Sequence, residues 1–280
     1  MSTVTIRVLH CGRVCVSPYL PFGGEHCGLL RAAGLTTRPR DRLWLPVSAY
    51  LIEHPRGRIL VDTGWHRAMS PDGVYDVRAQ LRHLSPPLYA VNPGVVARGE
   101  AVDEQLAALG LRPEDLDYVL LTHLDCDHVG GVQLVRAARH ILVAAEELPF
   151  AARHPVRYRA SMWAGVRLEP FAFQTTGLGP AGRSYDLFGD GSVQLVSIPG
   201  HSAGLFAVQV QNAAGAFVLL CSDGAYAARS WQEMIRPGIS ADPTQQLRSL
   251  RWIRERSCDP LCVGVLANHD PAVVPHTVVL

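Results

Sequence analysis

The sequence predicts an α/β fold, in which β-sheets are covered by helices. Two observations support this. Short apolar runs rich in β-branched residues recur along the chain, and segments with apolar residues at helical spacing lie between some of them. The chain has 280 residues, of which 48% are hydrophobic, so it can bury a large core. No linker or shift in composition divides it, and we expect residues 1–280 to form a single domain.

The first half is predicted to begin with antiparallel strands. Val4 to Leu9, Pro46 to Glu53 and Arg58 to Val61 are rich in strand-forming residues. The short turn from His54 to Gly57 joins the last two, which favours antiparallel pairing. Leu116 to Leu121 is a further apolar run that we expect to form a buried strand.

Helices are predicted between and after these strands. Asp103 to Leu109 has apolar residues at helical spacing, Pro113 to Asp115 is typical of a first helical turn, and Val132 to Arg139 is expected to continue as a helix. A C-terminal helix is expected to carry the arginines from Arg248 to Arg256. The second half repeats the strand pattern, with predicted strands at Val193 to Ile198, Leu205 to Gln211, Phe217 to Cys221 and Leu261 to Leu266.

A dense group of potential metal ligands follows the run from Leu116 to Leu121. Imidazole and carboxylate side chains together suit Zn²⁺, Fe²⁺ or Mn²⁺. Gly130 and Gly131 then leave the backbone room to turn beside an ion. Four of the six positions in this group carry a potential ligand, and they are His123, Asp125, Asp127 and His128.

Three later residues lie in similar positions. His201, Asp223 and His269 each follow an apolar run that we predict to be a strand. Functional side chains of layered α/β proteins collect on loops at strand ends. A single histidine is more often a core or surface residue, but this shared position favours metal ligation for the whole set.

The order H-x-[HD]-x-D-H, G-H-S, S-D-G-x-Y and a late histidine resembles the metallo-β-lactamase superfamily, and most closely its N-acyl homoserine lactonase branch. The resemblance extends from about Val4 to His269. It implies an αββα sandwich of two mixed β-sheets flanked by helices. It also implies that Asp62, in the run Asp62-Thr63-Gly64, is a structural residue or supports a ligand.

The resemblance further implies two divalent metal ions, with Zn²⁺ expected, and a hydroxide that opens a lactone. Tyr226, three residues after Asp223, would steady the attacked carbonyl oxygen, and Asp127 would act on the side of the leaving alkoxide. The implied ligands are His123, Asp125 and His201 for the first ion, Asp127, His128 and His269 for the second ion, and Asp223 as a bridge.

Asp125 departs from the family pattern, which usually has histidine at this position. Two divalent ions would then be balanced by three carboxylates and a hydroxide, so the centre would be neutral instead of positive. A more electron-rich centre polarises a carbonyl less and favours Mn²⁺ or Fe²⁺ relative to Zn²⁺. Because aspartate is shorter than histidine, Asp125 is also a candidate for contact through water, which would leave the first position weak.

The substrate remains open in the sequence. Besides a lactonase, the pattern fits another hydrolase of this superfamily that acts on a thioester, phosphodiester or sulfate ester, an iron-dependent thiol oxygenase, or a non-catalytic relative. Trp65, Phe22 and Tyr19 are candidates for an acyl channel, although unpaired aromatic residues are more often packing residues. The segment from Phe150 to Phe173, rich in aromatic residues and arginine, is a candidate lid.

The composition narrows the classes of function and partner that the chain can have. The net charge is +1 and all 26 basic residues are arginine, which excludes lysine Schiff-base chemistry and disfavours nucleic acid as a partner. Seven cysteines without a C-x-x-C pair predict free thiols. No apolar run approaches a membrane span and no secretory pattern begins the chain, so a cytoplasmic location without membrane contact is expected. The expected partner is a small-molecule substrate, and a homodimer is left open.

Overall fold

The alternating apolar pattern of the chain forms two β-sheets that stack face to face in the computed structural model. The structure describes residues 3–280, and Met1 and Ser2 lie outside the described residues. The strands, in chain order, are β1 (Thr5–Val16), β2 (Leu43–His54), β3 (Gly57–Val61), β4 (Gly94–Val95), β5 (Tyr118–Leu121), β6 (His140–Ala144), β7 (Glu169–Phe171), β8 (Gln174–Thr175), β9 (Arg183–Asp186), β10 (Val193–Ser197), β11 (Phe206–Gln211), β12 (Phe217–Leu220), β13 (Cys262–Leu266) and β14 (Thr277–Val279).

Both sheets are mixed. The first sheet has the order β14-β1-β2-β3-β5-β6-β7, with β4 paired to β1. Its strands β1, β2 and β3 are antiparallel, and β3, β5, β6 and β7 are parallel. The second sheet has the order β13-β12-β11-β10-β9-β8, and only its β12–β13 pair is parallel among the described residues. The predicted antiparallel start of the chain and the two mixed sheets are therefore confirmed.

Helices cover the outer faces of the sheets. Within α3 the helix kinks at Ser85, whose φ is 68°, just before two prolines. The α-helices are α1 (Tyr19–Phe22), α2 (Leu29–Ala32), α3 (Val77–Val91), α4 (Val102–Ala108), α5 (Cys126–Val129), α6 (Glu147–Arg153), α7 (Ala228–Gln232) and α8 (Pro243–Ser257). Short 3-10 helices occur at Pro39–Asp41, Arg67–Met69, Pro113–Asp115, Val132–Val135, Ala160–Met162 and Ser222–Gly224.

Side-chain alternation along β2 divides the core into layers. Tyr50 and Ile52 pack between the two sheets, whereas Ala49 and Leu51 pack on the other face of the first sheet, beneath α3 and α4. A third cluster lies between the outer face of the second sheet and helices α7 and α8. The order helix, sheet, sheet, helix is the predicted αββα sandwich.

Two helix predictions were wrong. Pro113–Asp115 is a single 3-10 turn, because the chain must enter β5 at Tyr118. The helix expected from Val132 to Arg139 is a 3-10 helix over Val132–Val135 only, since β6 begins at His140. Among residues 3–280, no helix combines the length and the apolarity needed to cross a lipid bilayer.

Candidate metal centre

Four strand ends bring the predicted ligands together. The loop after β5 and helix α5 carry four of them, and the segments that follow β10, β12 and β13 carry His201, Asp223 and His269. All are buried except Asp125, whose side chain is 13% exposed. Residues far apart in the sequence thus form one polar cluster, as the shared position after strands predicted.

The cluster contains two neighbouring groups of potential ligands. In the first, Nε2 of His123 lies 3.4 Å from Oδ2 of Asp125, and Nε2 of His201 lies 2.8 Å from the same oxygen. In the second, Nε2 of His269 lies 3.6 Å from Oδ2 of Asp127, and His128 completes the group. Within each group, the candidate ligand atoms lie within 4.8 Å of one another.

Asp223 lies between the two groups and faces both. Its Oδ1 is 3.3 Å from Nε2 of His128 and 3.2 Å from Nε2 of His269. Its Oδ2 is 3.4 Å from Nε2 of His201 and 4.0 Å from Nε2 of His123. One carboxylate oxygen is therefore directed at each group, which is the arrangement that a bridging ligand requires.

The donor set fits divalent ions. Ligand atoms around a tetrahedral ion with bonds of about 2.0 Å lie about 3.3 Å apart, and most separations in the cluster are close to this value. Nε2 of His123, Nε2 of His128 and Oδ1 of Asp223 are buried without a hydrogen-bond partner among the described residues. Burying such atoms unpaired is costly, and a cation among them would remove that cost.

Neighbouring groups fix the rings of His128 and His269 so that Nε2 of each faces the cluster. Nδ1 of His128 lies 2.8 Å from Oδ2 of Asp62, and Nδ1 of His269 donates to the carbonyl of Pro46 at 2.8 Å. Asp62 is itself held by the backbone N–H and the hydroxyl of Thr122. Outer contacts of this kind orient metal-binding imidazoles and set their tautomer. Asp62 therefore has the supporting position that the resemblance implies.

Burial and charge set the protonation of the cluster. Burial, with His128 beside it, lowers the pKa of His123 to about 4, so this imidazole is neutral at pH 7. Burial raises the pKa of Asp127. For Asp223 burial acts in the same direction, but His269 and His128 outweigh it and hold the pKa of the carboxyl well below its usual range.

Arg157 is a member of the cluster that the sequence analysis did not predict. Its Nε and Nη2 donate to the two oxygens of Asp125, at 2.7 and 2.5 Å. Although burial opposes ionisation, Arg157 holds the pKa of Asp125 well below its usual range. The guanidinium places one positive charge beside Asp125, and the charge balance expected from the sequence did not include it. The arginine-rich segment from Phe150 to Phe173 was the available signal.

Tyr226 lies beside the second group. Its ring stacks on His269, with ring centroids 5.2 Å apart, and the side chain lines a cavity above the cluster. Burial, followed by the charges of Asp223 and Asp125, raises the pKa of its hydroxyl well above the usual value. The hydroxyl therefore stays protonated and can donate a hydrogen bond at neutral pH.

A cavity of about 810 Å³ opens onto the cluster. Asp125, Asp127 and Asp223 line its inner end, together with His201 and His269. Its walls are mostly apolar. Its outer part is lined by residues of α2, of the turn after α2 and of the segment after α6, among them Leu29, Leu30, Leu35 and Val156. A small molecule with a polar end and an apolar tail fits this distribution.

Several predicted cavity residues lie elsewhere. Trp65 is fully buried in the core beneath the first sheet, and Tyr19 and Phe22 do not line the large cavity. Of the predicted lid, residues 150–157 do line the cavity at several positions, but Phe171 and Phe173 pack between the two sheets. The sequence could not distinguish these aromatic side chains, because all of them lie near loops.

Two mixed sheets with a buried histidine–aspartate cluster at one edge define a class of metal-dependent hydrolases. The family model of the metallo-β-lactamase superfamily matches residues 42–264, and the chain belongs to this superfamily. Membership implies divalent metal ions at the cluster.

Individual proteins that resemble this chain are hydrolases by name, and a solved structure shares its fold. An N-acyl homoserine lactonase, AttM, of Rhizobium johnstonii is 29% identical over 237 residues, covering 81% of this chain and 83% of the relative. A probable metallo-hydrolase of Mycobacterium tuberculosis is 30% identical over 257 residues, covering 88% of this chain and 76% of the relative. A crystal structure of B. thuringiensis AiiA with N-decanoyl-L-homoserine at its active site has a TM-score of 0.75 and 22% identity, and the match covers 97% of this chain and 95% of that one.

Proposed function

We propose that this protein is a metal-dependent lactonase that opens N-acyl homoserine lactones or similar lactones. The observation that carries the proposal is the position of the histidine–aspartate cluster at the inner end of an apolar cavity. A lactone ring would lie at the cluster and an acyl chain along the apolar walls. The name of the Rhizobium johnstonii relative supports this substrate class.

The candidate ligands are those that the sequence analysis named, and we propose that residues 1–280 act as a single domain because both sheets contribute them. His123, Asp125 and His201 would hold one ion. Asp127, His128 and His269 would hold the second, with Asp223 between them. We propose Zn²⁺ in both positions, with Mn²⁺ or Fe²⁺ as the alternatives to test.

Bound divalent ions would supply two effects, a lower pKa for water and polarisation of the carbonyl group. The residues of the chain supply the hydrogen bond to the carbonyl oxygen and the proton transfer. The hydroxyl of Tyr226 donates to the carbonyl oxygen as negative charge develops on it. Asp127, on the cavity side of the cluster, takes a proton from the attacking water and returns it to the ring oxygen when the C–O bond of the lactone breaks. Water thus adds across that bond to give a hydroxy acid.

The proposed reaction has a direct test. The acid formed ionises at neutral pH, so turnover acidifies a weakly buffered solution. We expect the metal-loaded protein to acidify solutions of acyl homoserine lactones, and the chelator-treated protein to lose this activity until metal is restored. Elemental analysis gives the ion content of the same samples.

The substrate panel must separate the lactonase from other hydrolases of the superfamily. It should contain lactones of several acyl lengths, a thioester, and nitrophenyl phosphodiester and sulfate esters, each with Zn²⁺, Mn²⁺ or Fe²⁺. Turnover of one of the other esters without lactone turnover would reject the lactonase proposal. Protein that binds no metal would reject the metal-dependent mechanism itself.

A further inference from the structure

One nitrogen of Arg157 contacts an atom from each of two candidate ligands in the first group. Nη2 lies 2.5 Å from Oδ2 of Asp125 and 2.8 Å from Nε2 of His201. Both atoms face Nε2 of His123, the third member of that group. Among the described residues, no arginine forms a hydrogen bond or ion pair with a member of the second group, whose Nε2 atoms face Asp127 and Asp223.

Arg157 is held in this place by its other nitrogens. Nε donates to Oδ1 of Asp125 at 2.7 Å, and Nη1 donates to the carbonyl oxygen of His201 at 3.0 Å. The side chain is only 23% exposed, and its guanidinium lies 5.0 Å from the ring centroid of Tyr158. It is therefore a fixed part of the cluster and not a surface arginine that moves freely in solvent.

A guanidinium and a metal ion make the same demand on a ligand atom. The lone pair of an imidazole nitrogen can accept one hydrogen bond or bind one ion, and a carboxylate oxygen shared with arginine is a weaker donor to a second cation. The two cations also repel each other over a short distance in a buried site. Arginine stays charged at all ordinary pH values, so the guanidinium carries this positive charge throughout that range.

We propose that Arg157 is a resident cation that competes with the metal ion at the first position, so that the two positions bind metal with unequal affinity. The second position, formed by Asp127, His128 and His269, fills first. The first position fills only at higher metal concentration, because the ion must displace Nη2 from His201 and Asp125. This inference rests on the ligand set given under the proposed function.

Metal titration of the apoprotein tests the inference without any measurement of turnover. Zn²⁺ is added in competition with a chromophoric chelator, and the two affinities are obtained from the binding curve. We expect the weaker ion to bind at least about 10-fold less tightly than the stronger one. Arg157→Met removes the charge and the donors, and should tighten the weaker ion by about 10-fold.

Two further variants separate the contact of Arg157 with the candidate ligands from the general positive charge of residues 150–157. Arg153→Met removes an exposed arginine that lines the same cavity and has no hydrogen bond to the candidate ligands, so it should leave both affinities unchanged. Asp125→His replaces the carboxylate that holds the guanidinium. In that background Arg157→Met should change the weaker affinity by less than about threefold. Arg157→Gln replaces the methionine variant if the latter does not fold.

The outcomes are distinguishable from failure of the proposed function. Two ions of equal affinity in the unsubstituted protein would overturn this inference alone. An unchanged or lower affinity for the weaker ion after Arg157→Met would also overturn it. In that case Arg157 would hold Asp125 in place for metal binding instead of competing with the ion. If Arg153→Met tightened the weaker ion as much as Arg157→Met, the effect would not come from the contact between Arg157 and the candidate ligands, and the inference would be overturned. Protein that binds no ion would overturn both the inference and the proposed function.

Discussion

Oδ2 of Asp62 lies 2.8 Å from Nδ1 of His128, and both side chains are fully buried. The carboxylate comes from the residue after β3 and the imidazole from α5, which follows β5. Because β3 and β5 pair in the first sheet, this contact joins the segments that follow two neighbouring strands at the candidate metal centre. Asp62 has a φ of 57°, a conformation that residues other than glycine rarely adopt. The backbone strain is consistent with a residue whose side chain must reach a particular position.

We expect Asp62→Asn to weaken metal binding by about 10- to 100-fold, because the ring of His128 loses the carboxylate that orients it. The variant should also lose about 1–3 kcal/mol of stability, since Asp62 accepts hydrogen bonds from Thr122 in the core. Chelator competition and thermal unfolding measure the two effects. Asp190→Asn, at an exposed ion pair, is the control and should leave metal affinity unchanged. Full metal affinity in Asp62→Asn would show that the contact has no orienting role.

Tyr226→Phe tests the proposed hydrogen bond to the reacting carbonyl. We expect the variant to keep its metal content and to lose turnover by about 10-fold or more, because one donor to the developing charge is removed. Elemental analysis and the rate of lactone opening are measured on the same preparation. Tyr185→Phe removes a hydroxyl from a partly buried tyrosine packed against the layer between the sheets, and should keep the full rate. An unchanged rate in Tyr226→Phe would remove Tyr226 from the mechanism.

Leu30 tests whether the apolar outer part of the cavity binds an acyl chain. The side chain is 61% exposed and lines the cavity, so substitution should cost little stability. We expect Leu30→Asn to reduce kcat/KM for long-chain lactones by about 3- to 10-fold, through lost apolar contact, and to leave short-chain lactones nearly unchanged. Leu109→Asn alters an exposed leucine that does not line the cavity and serves as control. An equal loss for all chain lengths would mean that Leu30 does not contact the acyl chain.

Local patterns in the sequence predicted the strands and the strand-end positions of most candidate ligands, and the resemblance to a known superfamily implied the αββα sandwich and the ligand roles. Apolar runs identify strands, and the position of His201 or Asp223 directly after such a run identifies a strand-end loop. Arg157 could not be found in this way. It follows α6 and not a strand, and it reaches Asp125 only because the chain folds back over the loop after β5. Such a contact depends on tertiary packing, which the spacing of residues does not record.

The dependence on tertiary packing also explains why the aromatic residues predicted to line an acyl channel do not line the large cavity. Trp65, which follows the Asp62-Thr63-Gly64 run, has the sequence surroundings of a loop residue near the centre, yet it is fully buried. Gly94 and Gly12 pack so closely on its ring that a Cβ at either glycine would lie 2.8 to 3.0 Å from it. Which aromatic side chains line a cavity is decided by contacts between distant segments, and no periodicity in the sequence specifies them.

The ion pair between Arg67 and Glu104 gives a prediction for acid stability. Hydrogen bonds from Arg67 lower the pKa of Glu104 in the folded protein, so the pair stabilises the fold above the unfolded-state pKa of about 4.3 and loses this effect as pH falls through the folded-state value. Glu104→Gln should therefore lower Tm most near pH 6–7, and the difference from the unsubstituted protein should shrink below about pH 4. Thermal unfolding from pH 3 to 7 measures it. Glu233→Gln, at the more exposed pair with Arg229, should change Tm little at any pH. A Tm difference for Glu104→Gln that stays constant with pH would show that the charge of Glu104 does not stabilise the fold.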